Sequence, residues 1–104
     1  FSLLYKNEQF SGVEVDLVLL GPDHNLLLCE VKSLSCESFV NSRVKQSQRS
    51  RLERAARHIE GRFGKKVELV YVFVSKSSIQ IYDNLGEPWS SQSVAGSVSA
   101  WISQ

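Results

Sequence analysis

The sequence predicts an α/β domain with a mixed sheet of four to five strands flanked by helices. Apolar and β-branched residues fall in short runs of strand length, and turn residues such as Gly and Pro separate these runs. One longer segment repeats its apolar residues at helical spacing and lies between two of the strand-like runs. A helix that crosses between strands is typical of an α/β fold. The chain has 104 residues, 42% of them hydrophobic, which is enough for one domain over residues 1–104.

Three strands are predicted before the helix. Residues 1–10 mix apolar and polar side chains and lead into a turn at residues 11–12. Residues 13–20 are aliphatic and β-branched, and the Gly-Pro-Asp-His-Asn sequence after them predicts a turn. Residues 26–32 then return as the hairpin partner of the second strand. Residues 33–42 are small and polar, so we expect a loop there.

The helix is predicted over residues 44–63, and two further strands follow it. Its apolar positions recur three or four residues apart, and glycines end it. Residues 67–74 form a nearly continuous β-branched and aromatic run, which is typical of a strand covered on both faces, and residues 78–82 offer a short last strand. The Ser-rich tail of residues 90–104 is compatible with a short amphipathic helix. The predicted order is therefore β-β-β-α-β-β.

The net charge of +1 conceals a segregation of charge along the chain. Residues 1–42 and 67–104 are acidic, whereas residues 43–66 hold nine Lys and Arg against two Glu. A basic block beside an acidic one suits a polyanionic partner that also requires a metal. The two cysteines are too few for a disulfide framework, so we expect reduced thiols and a cytoplasmic, nucleoid-associated location. No apolar run is long enough for a membrane span or a signal sequence.

Two short acidic clusters interrupt the apolar strands. Glu14 and Asp16 lie two residues apart in the second predicted strand, and Glu30 and Lys32 lie two apart in the third. Residues two apart on a strand share a face, so pairing through the turn would bring three carboxylates and an amine together. Burying such charges is unfavourable unless they have a partner or a function. The alternative is that they form exposed strand faces with cross-strand Glu–Lys pairs.

These side chains are suited to a divalent metal beside a phosphodiester. Mg²⁺ and Mn²⁺ prefer oxygen ligands, and one or two carboxylates are enough when water and substrate phosphate complete the shell. We expect Asp16 and Glu30 to bind the metal, with the backbone carbonyl of Val31 as a further ligand. Lys32 would orient the attacking water and offset charge on the phosphate. Glu14 would hold a second metal or tune Asp16.

The same residues carry a resemblance to a known superfamily. Asp16, followed after 13 residues by Glu30-Val31-Lys32, resembles the signature of PD-(D/E)XK nucleases. More narrowly, Gly-Val-Glu-Val-Asp-Leu-Val at 12–18 and Leu-Cys-Glu-Val-Lys-Ser at 28–33 resemble the YraN-like family of predicted endonucleases, and the similarity covers about residues 1–85. The resemblance implies a restriction-endonuclease-like core and Mg²⁺-dependent hydrolysis of DNA. Archaeal Holliday-junction resolvases share the wider fold, so branched DNA is one substrate that the resemblance admits.

The predicted helix adds a basic surface. Lys45 and Gln46 stand at its start, where the family has a Lys-Gln pair, and Lys45 shares a face with Arg49. Together with Arg43 these residues are expected to contact phosphates. The alternative is a solvated helix surface whose Arg residues are partly balanced by two Glu. Related nucleases also carry an acidic residue on an N-terminal helix, and we expect this domain to lack that helix.

The sequence thus predicts a metal-dependent endonuclease whose partner is DNA and not a membrane, and it leaves a homodimer open. Two alternatives remain: a catalytically inactive nucleic-acid-binding module on the same fold, and a protein-interaction domain of a larger assembly. His24 and His58 lack the spacing of a zinc site. The absence of a Gly-x-Ser-x-Gly motif and of a Gly-rich phosphate loop disfavours a serine hydrolase and an NTPase.

Overall fold

The computed structural model describes residues 1–33, 46–74, 79–85 and 87–89, which form a five-stranded sheet and one helix. The elements in chain order are β1 (Ser2–Phe10), β2 (Val13–Leu20), β3 (Leu26–Ser33), α1 (Gln46–Phe63), β4 (Val67–Val74) and β5 (Ile79–Asp83). This is the predicted β-β-β-α-β-β order. The predicted fold class, an α/β fold with a mixed sheet of five strands, is confirmed.

The sheet is mixed because the chain crosses over between β3 and β4. The strand order is β1-β2-β3-β4-β5; β3 and β4 are parallel, and all other neighbours are antiparallel. Parallel neighbours need a connection of a dozen or more residues, and the segment that contains α1 provides it. β4 is an interior strand that is buried on both faces, which accounts for its nearly continuous apolar sequence.

Two hydrophobic cores lie on opposite faces of the sheet. On one face, α1 buries Leu52 and Ile59 against a cluster that includes Leu28 and Leu69. Each such side chain contributes roughly 1.5–3 kcal/mol when fully buried. The other face holds a second cluster, whose members are Leu17, Leu19, Leu27, Cys29, Val70, Val72 and Ile81. Packing through the first cluster fixes the position of α1 above the strands that carry Asp16 and Glu30.

Strand β2 changes face at Asp16. Val15 belongs to the core beneath α1, whereas Leu17 belongs to the core of the opposite face. Residues two apart share a face in a regular strand, so the alternation is interrupted at Asp16. The position opposite Asp16 in the β1–β2 register is Asn7, which has a φ of 54° in the left-handed region that Asn tolerates better than most residues. The hairpin therefore bends at this pair of residues.

The structure adjusts several predicted boundaries. The helix was predicted from residue 44, and α1 begins at Gln46 within the described residues; residues 43–45 lie outside them. β3 extends by one residue to Ser33, and β5 lies one residue later than predicted. The predicted loop from residue 34 onward and the tail of residues 90–104 also lie outside the described residues. The sequence predicts a sheet flanked by more than one helix, but the described part of the chain contains only α1. With five Arg residues, α1 is too polar to span a bilayer.

Candidate active site

Glu30 is the one charged residue that is buried among the residues described. It lies near the end of β3, on the same face as Leu26 and Leu28, which pack beneath α1. Only 8% of its surface is exposed. A carboxylate at this position loses most of its hydration, so its hydrogen bonds and neighbouring charges determine whether it is ionised.

Asp16 occupies the gap where β2 and β3 separate. The antiparallel pairing between these strands covers Leu17 to Leu20 and ends before Asp16. Beyond that point the backbone N–H of Val31 donates a hydrogen bond of 2.8 Å to Asp16 Oδ2. The carboxylate thus takes the place of a backbone acceptor from the neighbouring strand. The bend in β2 and the buried N–H of β3 together orient the half-buried Asp16 side chain towards Glu30.

Two further side chains converge on one oxygen of Glu30. Gln48, in the first turn of α1, donates from Nε2 to Glu30 Oε2 over 3.0 Å. The ammonium nitrogen of Lys32 lies 3.8 Å from the same oxygen, and the Lys32 side chain is 32% exposed. Lys32 follows Glu30 by two residues on β3 and therefore shares its face. The site consequently has a buried acidic side and an amine that reaches solvent.

The pKa of Glu30 reflects this environment. The pKa of Glu30 is raised from an ordinary value of 4.5 to about 8, mainly by burial and further by the hydrogen bond to Asp16 and the negative charge of Asp16. Lys32 and Gln48 act in the opposite direction. Near neutral pH, Glu30 therefore retains a proton that it shares with Asp16, as expected for two carboxyl groups in contact.

The two carboxyl groups supply the kind of oxygen ligand that a hard divalent cation binds. Mg²⁺ is commonly held by one or two carboxylates together with water and substrate phosphate, and Asp16 and Glu30 supply that number. No three His, Cys, Asp or Glu side chains suitable for a metal come together in residues 1–33, 46–74, 79–85 and 87–89. The donor chemistry of the pair suits a hard cation such as Mg²⁺ or Mn²⁺ better than zinc, which favours nitrogen and sulfur ligands.

A hydrogen-bond network beside Glu30 holds α1 against the sheet. Tyr71, the neighbour of Glu30 in the β3–β4 register, donates from its hydroxyl to Asn84 Oδ1 over 3.1 Å. Asn84 Nδ2 in turn donates to Glu53 Oε1 of α1 over 3.0 Å, and Arg49 Nη2 donates to the Asn84 carbonyl. Burial raises the pKa of Tyr71 to about 12, so its hydroxyl remains a donor. This network holds the first turns of α1 against the sheet, including the turn from which the side-chain amide of Gln48 contacts Glu30.

The structure brings together Asp16, Glu30 and Lys32 but leaves Glu14 apart from them. Glu14 is exposed and lies on the face opposite Val15, away from α1, because the change of face in β2 comes after it. The prediction that Glu14 and Asp16 share a face assumed a regular strand.

The predicted phosphate contacts fall at the start of the helix. Arg43 and Lys45 lie outside the described residues, and of Gln46 only its place as the first residue of α1 is described. Arg49 is half-buried and its guanidinium binds the carbonyl of Asn84.

Two site residues were not predicted from the sequence. Gln48 stands four residues before Leu52, on the line of apolar positions that α1 buries, and a polar residue on such a line is a signal for a buried contact. Tyr71 carries the one hydroxyl group of β4, and a buried Tyr usually has a hydrogen-bond partner. Both signals were present in the sequence.

The fold and the site define an α/β protein with a pair of carboxyl groups in contact at the point where two strands of a mixed sheet separate. No family model and no curated protein matches the chain. Among solved structures, the chain is similar to a repair endonuclease from Pyrococcus abyssi, with 18% identity and a TM-score of 0.48. That match covers 70% of this chain and 29% of the other.

Proposed function

We propose that this protein is an endonuclease that hydrolyses phosphodiester bonds in DNA with Mg²⁺ or Mn²⁺, as enzymes of the PD-(D/E)XK type do. The observation that supports the proposal is the contact between the carboxyl groups of Asp16 and Glu30, with Lys32 at the same Glu30 oxygen as Gln48. A buried acidic pair is unfavourable unless a proton or a cation neutralises it. Cation binding gives such a pair a function in a sheet that is otherwise apolar.

The residues of the site have separate roles in this mechanism. Asp16 and Glu30 would hold the cation, which when bound polarises the phosphate and lowers the pKa of a coordinated water. Lys32 would donate hydrogen bonds to the attacking water or to the phosphate oxygens, where negative charge increases during the reaction. The N–H of Val31 and the amide of Gln48 would keep the two carboxylates in a fixed orientation once the shared proton has left.

Contacts to the DNA backbone are proposed at the start of α1. Arg43, Lys45 and Gln46 would meet phosphates near the helix N-terminus, where the helix dipole also favours an anion. Arg49 would join them with the N–H donors that its bond to Asn84 leaves available. Glu14 lies on the opposite face of the sheet and has no part in holding this cation. Branched DNA as the substrate, a homodimer and a cytoplasmic, nucleoid-associated location remain predictions.

A panel of DNA substrates tests the activity. We expect the protein to nick supercoiled plasmid and to cleave linear, flapped or four-way DNA with Mg²⁺ or Mn²⁺, and to lose activity with EDTA. Lys32→Ala and Asp16→Asn should each abolish cleavage. Glu68→Gln, which removes an exposed carboxylate at the start of β4, is the matched control and should retain activity.

Calorimetry tests the cation site without relying on cleavage. Mg²⁺ should bind the wild type and Lys32→Ala, and binding should be lost in Asp16→Asn. Unchanged cleavage by Lys32→Ala would refute the mechanism. DNA binding without Mg²⁺ binding or cleavage would instead support an inactive nucleic-acid-binding module. If neither Mg²⁺ nor DNA binds, the protein-interaction domain is the better explanation.

A further inference from the structure

The helix α1 has two flanks with different surroundings. Its buried line includes Leu52 and Ile59, and with 3.6 residues per turn the other positions fall on either side of this line. The first flank faces β4 and the turn after β5, and its members are Arg49, Glu53 and Glu60. The second flank, which we call the arginine flank, consists of Arg51, Arg54, His58 and Arg62. All four residues of the arginine flank are exposed.

The arginine flank lies on the side of α1 that faces the β1–β2 hairpin. The ring of His58 is 6.5 Å from that of Phe10, at the end of β1. The guanidinium of Arg62 lies 5.2 Å from the centroid of the Phe63 ring, which itself packs against Tyr5 of β1. Stacking on an aromatic ring restricts a guanidinium while leaving its N–H groups available to a further ligand.

The arginine flank begins next to the paired carboxyl groups. Gln48, whose amide binds Glu30, lies on the same side of the buried line as Arg51 and less than one turn before it. Arg49 lies on the other side of that line, bound to the turn after β5. Among the described residues, the side chains on this side of α1 therefore extend from the Gln48–Glu30 contact to Arg62.

Both acidic residues of α1 lie away from this surface and have other partners. Glu53 accepts a hydrogen bond from Asn84, and Glu60 pairs with Arg57 and accepts from the backbone of Val67. Among the residues described, the side chains of Arg51 and Arg54 form no ion pair or hydrogen bond.

Glu8 of β1 is the acidic residue that the β1–β2 register places on the same side of the sheet as α1, opposite Val15. Its side chain is exposed and forms no ion pair within the described part of the chain. The arginine flank thus carries cationic charge that the described structure does not neutralise.

We infer that the arginine flank is the surface along which the phosphate backbone of duplex DNA runs to the paired carboxyl groups. The inference rests on the proposed function, from which it takes DNA as the substrate. It assigns the main phosphate contacts to Arg51, Arg54 and Arg62 instead of Arg49. Arg51 and Arg62 are eleven residues apart, which is about 16 Å along a helix and is long enough to reach several consecutive phosphates of one strand. Guanidinium groups bind phosphate oxygens in pairs of hydrogen bonds. The flank has no exposed large apolar side chain, which a helix that inserts into a lipid surface needs.

Salt dependence of DNA binding tests the inference. The triple variant R51Q/R54Q/R62Q should bind a short duplex DNA, followed by fluorescence anisotropy in EDTA, with a smaller dependence on KCl concentration than the wild type. Each phosphate contact contributes about 0.9 to the slope of log K against log salt, so the slope should fall by about 2.7. Each single variant should lower it by about 0.9. The substituted side chains are exposed, and circular dichroism checks that the variants remain folded.

The control variant removes the same charge from other places. R57Q/K65Q/K66Q takes three positive charges from the side chain paired with Glu60 and from the connection between α1 and β4. Because net charge changes equally in both triple variants, a difference between them isolates the position of the charges. We expect the control to lose less than about one unit of slope.

Five outcomes decide the inference. An equal loss in the two triple variants, or a wild type without salt-dependent DNA binding, would overturn it. Binding of the wild type to vesicles with anionic phosphatidylserine, lost in the same variant while DNA binding is kept, would point to a lipid surface and also overturn it. If the wild type cleaves DNA but R51Q/R54Q/R62Q binds normally, the inference fails and the proposed function stands. If that variant loses DNA binding while no Mg²⁺-dependent cleavage exists, the inference stands and the proposed function fails.

Discussion

Replacement of Glu30 by Gln should change how the stability of the protein depends on pH. The folded protein holds the Glu30 proton up to a pKa of about 8, whereas the unfolded chain releases it near 4.5. The raised pKa therefore contributes stability that is fully present below about pH 4.5 and is lost as pH rises through about 8. Gln has the same shape but does not titrate, so Glu30→Gln should lack this loss.

The size of the effect follows from the pKa of Glu30. Release of one proton per molecule changes the free energy of unfolding by at most about 1.4 kcal/mol per pH unit. Between pH 4.5 and about pH 8, the free energy of unfolding can therefore fall by at most about 5 kcal/mol. Solvent near the half-buried Asp16 and the partly exposed Lys32 screens the charges, so we expect about half of this bound. Glu30→Gln should thus become more stable than the wild type, by about 2–3 kcal/mol, above pH 8.

Urea unfolding followed by circular dichroism measures this difference, because urea is uncharged and leaves the electrostatics intact. The free energy of unfolding of wild type and Glu30→Gln would be compared from acid to mildly alkaline pH, in EDTA. Glu68→Gln, which removes an exposed carboxylate, shows what the loss of a surface charge does by itself. A difference between Glu30→Gln and wild type that stays constant with pH, or that falls as pH rises, would refute our description of the acidic pair.

Three further substitutions test the surroundings of the site by urea unfolding. Asp16→Ala should be less stable than Asp16→Asn by about 1–2 kcal/mol, because Asn keeps an oxygen for the N–H of Val31 and Ala leaves that buried donor without a partner; equal stabilities would contradict this. Tyr71→Phe should lower stability by about 1 kcal/mol through the lost hydrogen bond to Asn84, and an unchanged value would show that the network does not hold α1. Leu52→Ala should lower it by about 2–5 kcal/mol, and a loss below that range would mean that α1 is loosely packed.

The fold and the central part of the site could be predicted because they depend on local patterns. Alternation and turn residues place Asp16 and Glu30 on adjacent antiparallel strands, and the distance along the chain then brings them opposite each other. Lys32 follows from its spacing to Glu30 on one strand. The helical repeat of Leu52 and Ile59 likewise fixes which side of α1 is buried.

What the sequence did not predict depends on contacts between elements. The separation of Glu14 from the acidic pair results from the change of face at Asp16, which involves the left-handed Asn7 on the neighbouring strand. A period of two along one strand carries no information about such a bend. The contact of Arg49 with the turn after β5 joins residues 35 apart, and no local pattern encodes it.

The hydrogen bond between Val31 and Asp16 gives the site a reporter of its own. In a ¹⁵N-labelled protein, the amide proton of Val31 donates to a carboxylate, whereas the amides of Leu19 and Leu27 belong to a buried β2–β3 pair nearer the hairpin turn. A cation at Asp16 would withdraw electron density from the accepting oxygen and weaken that bond. Titration with Mg²⁺ should therefore move the Val31 resonance upfield, while the resonances of Leu19 and Leu27 serve as internal references. Cation occupancy could then be followed by nuclear magnetic resonance in the absence of any nucleic acid.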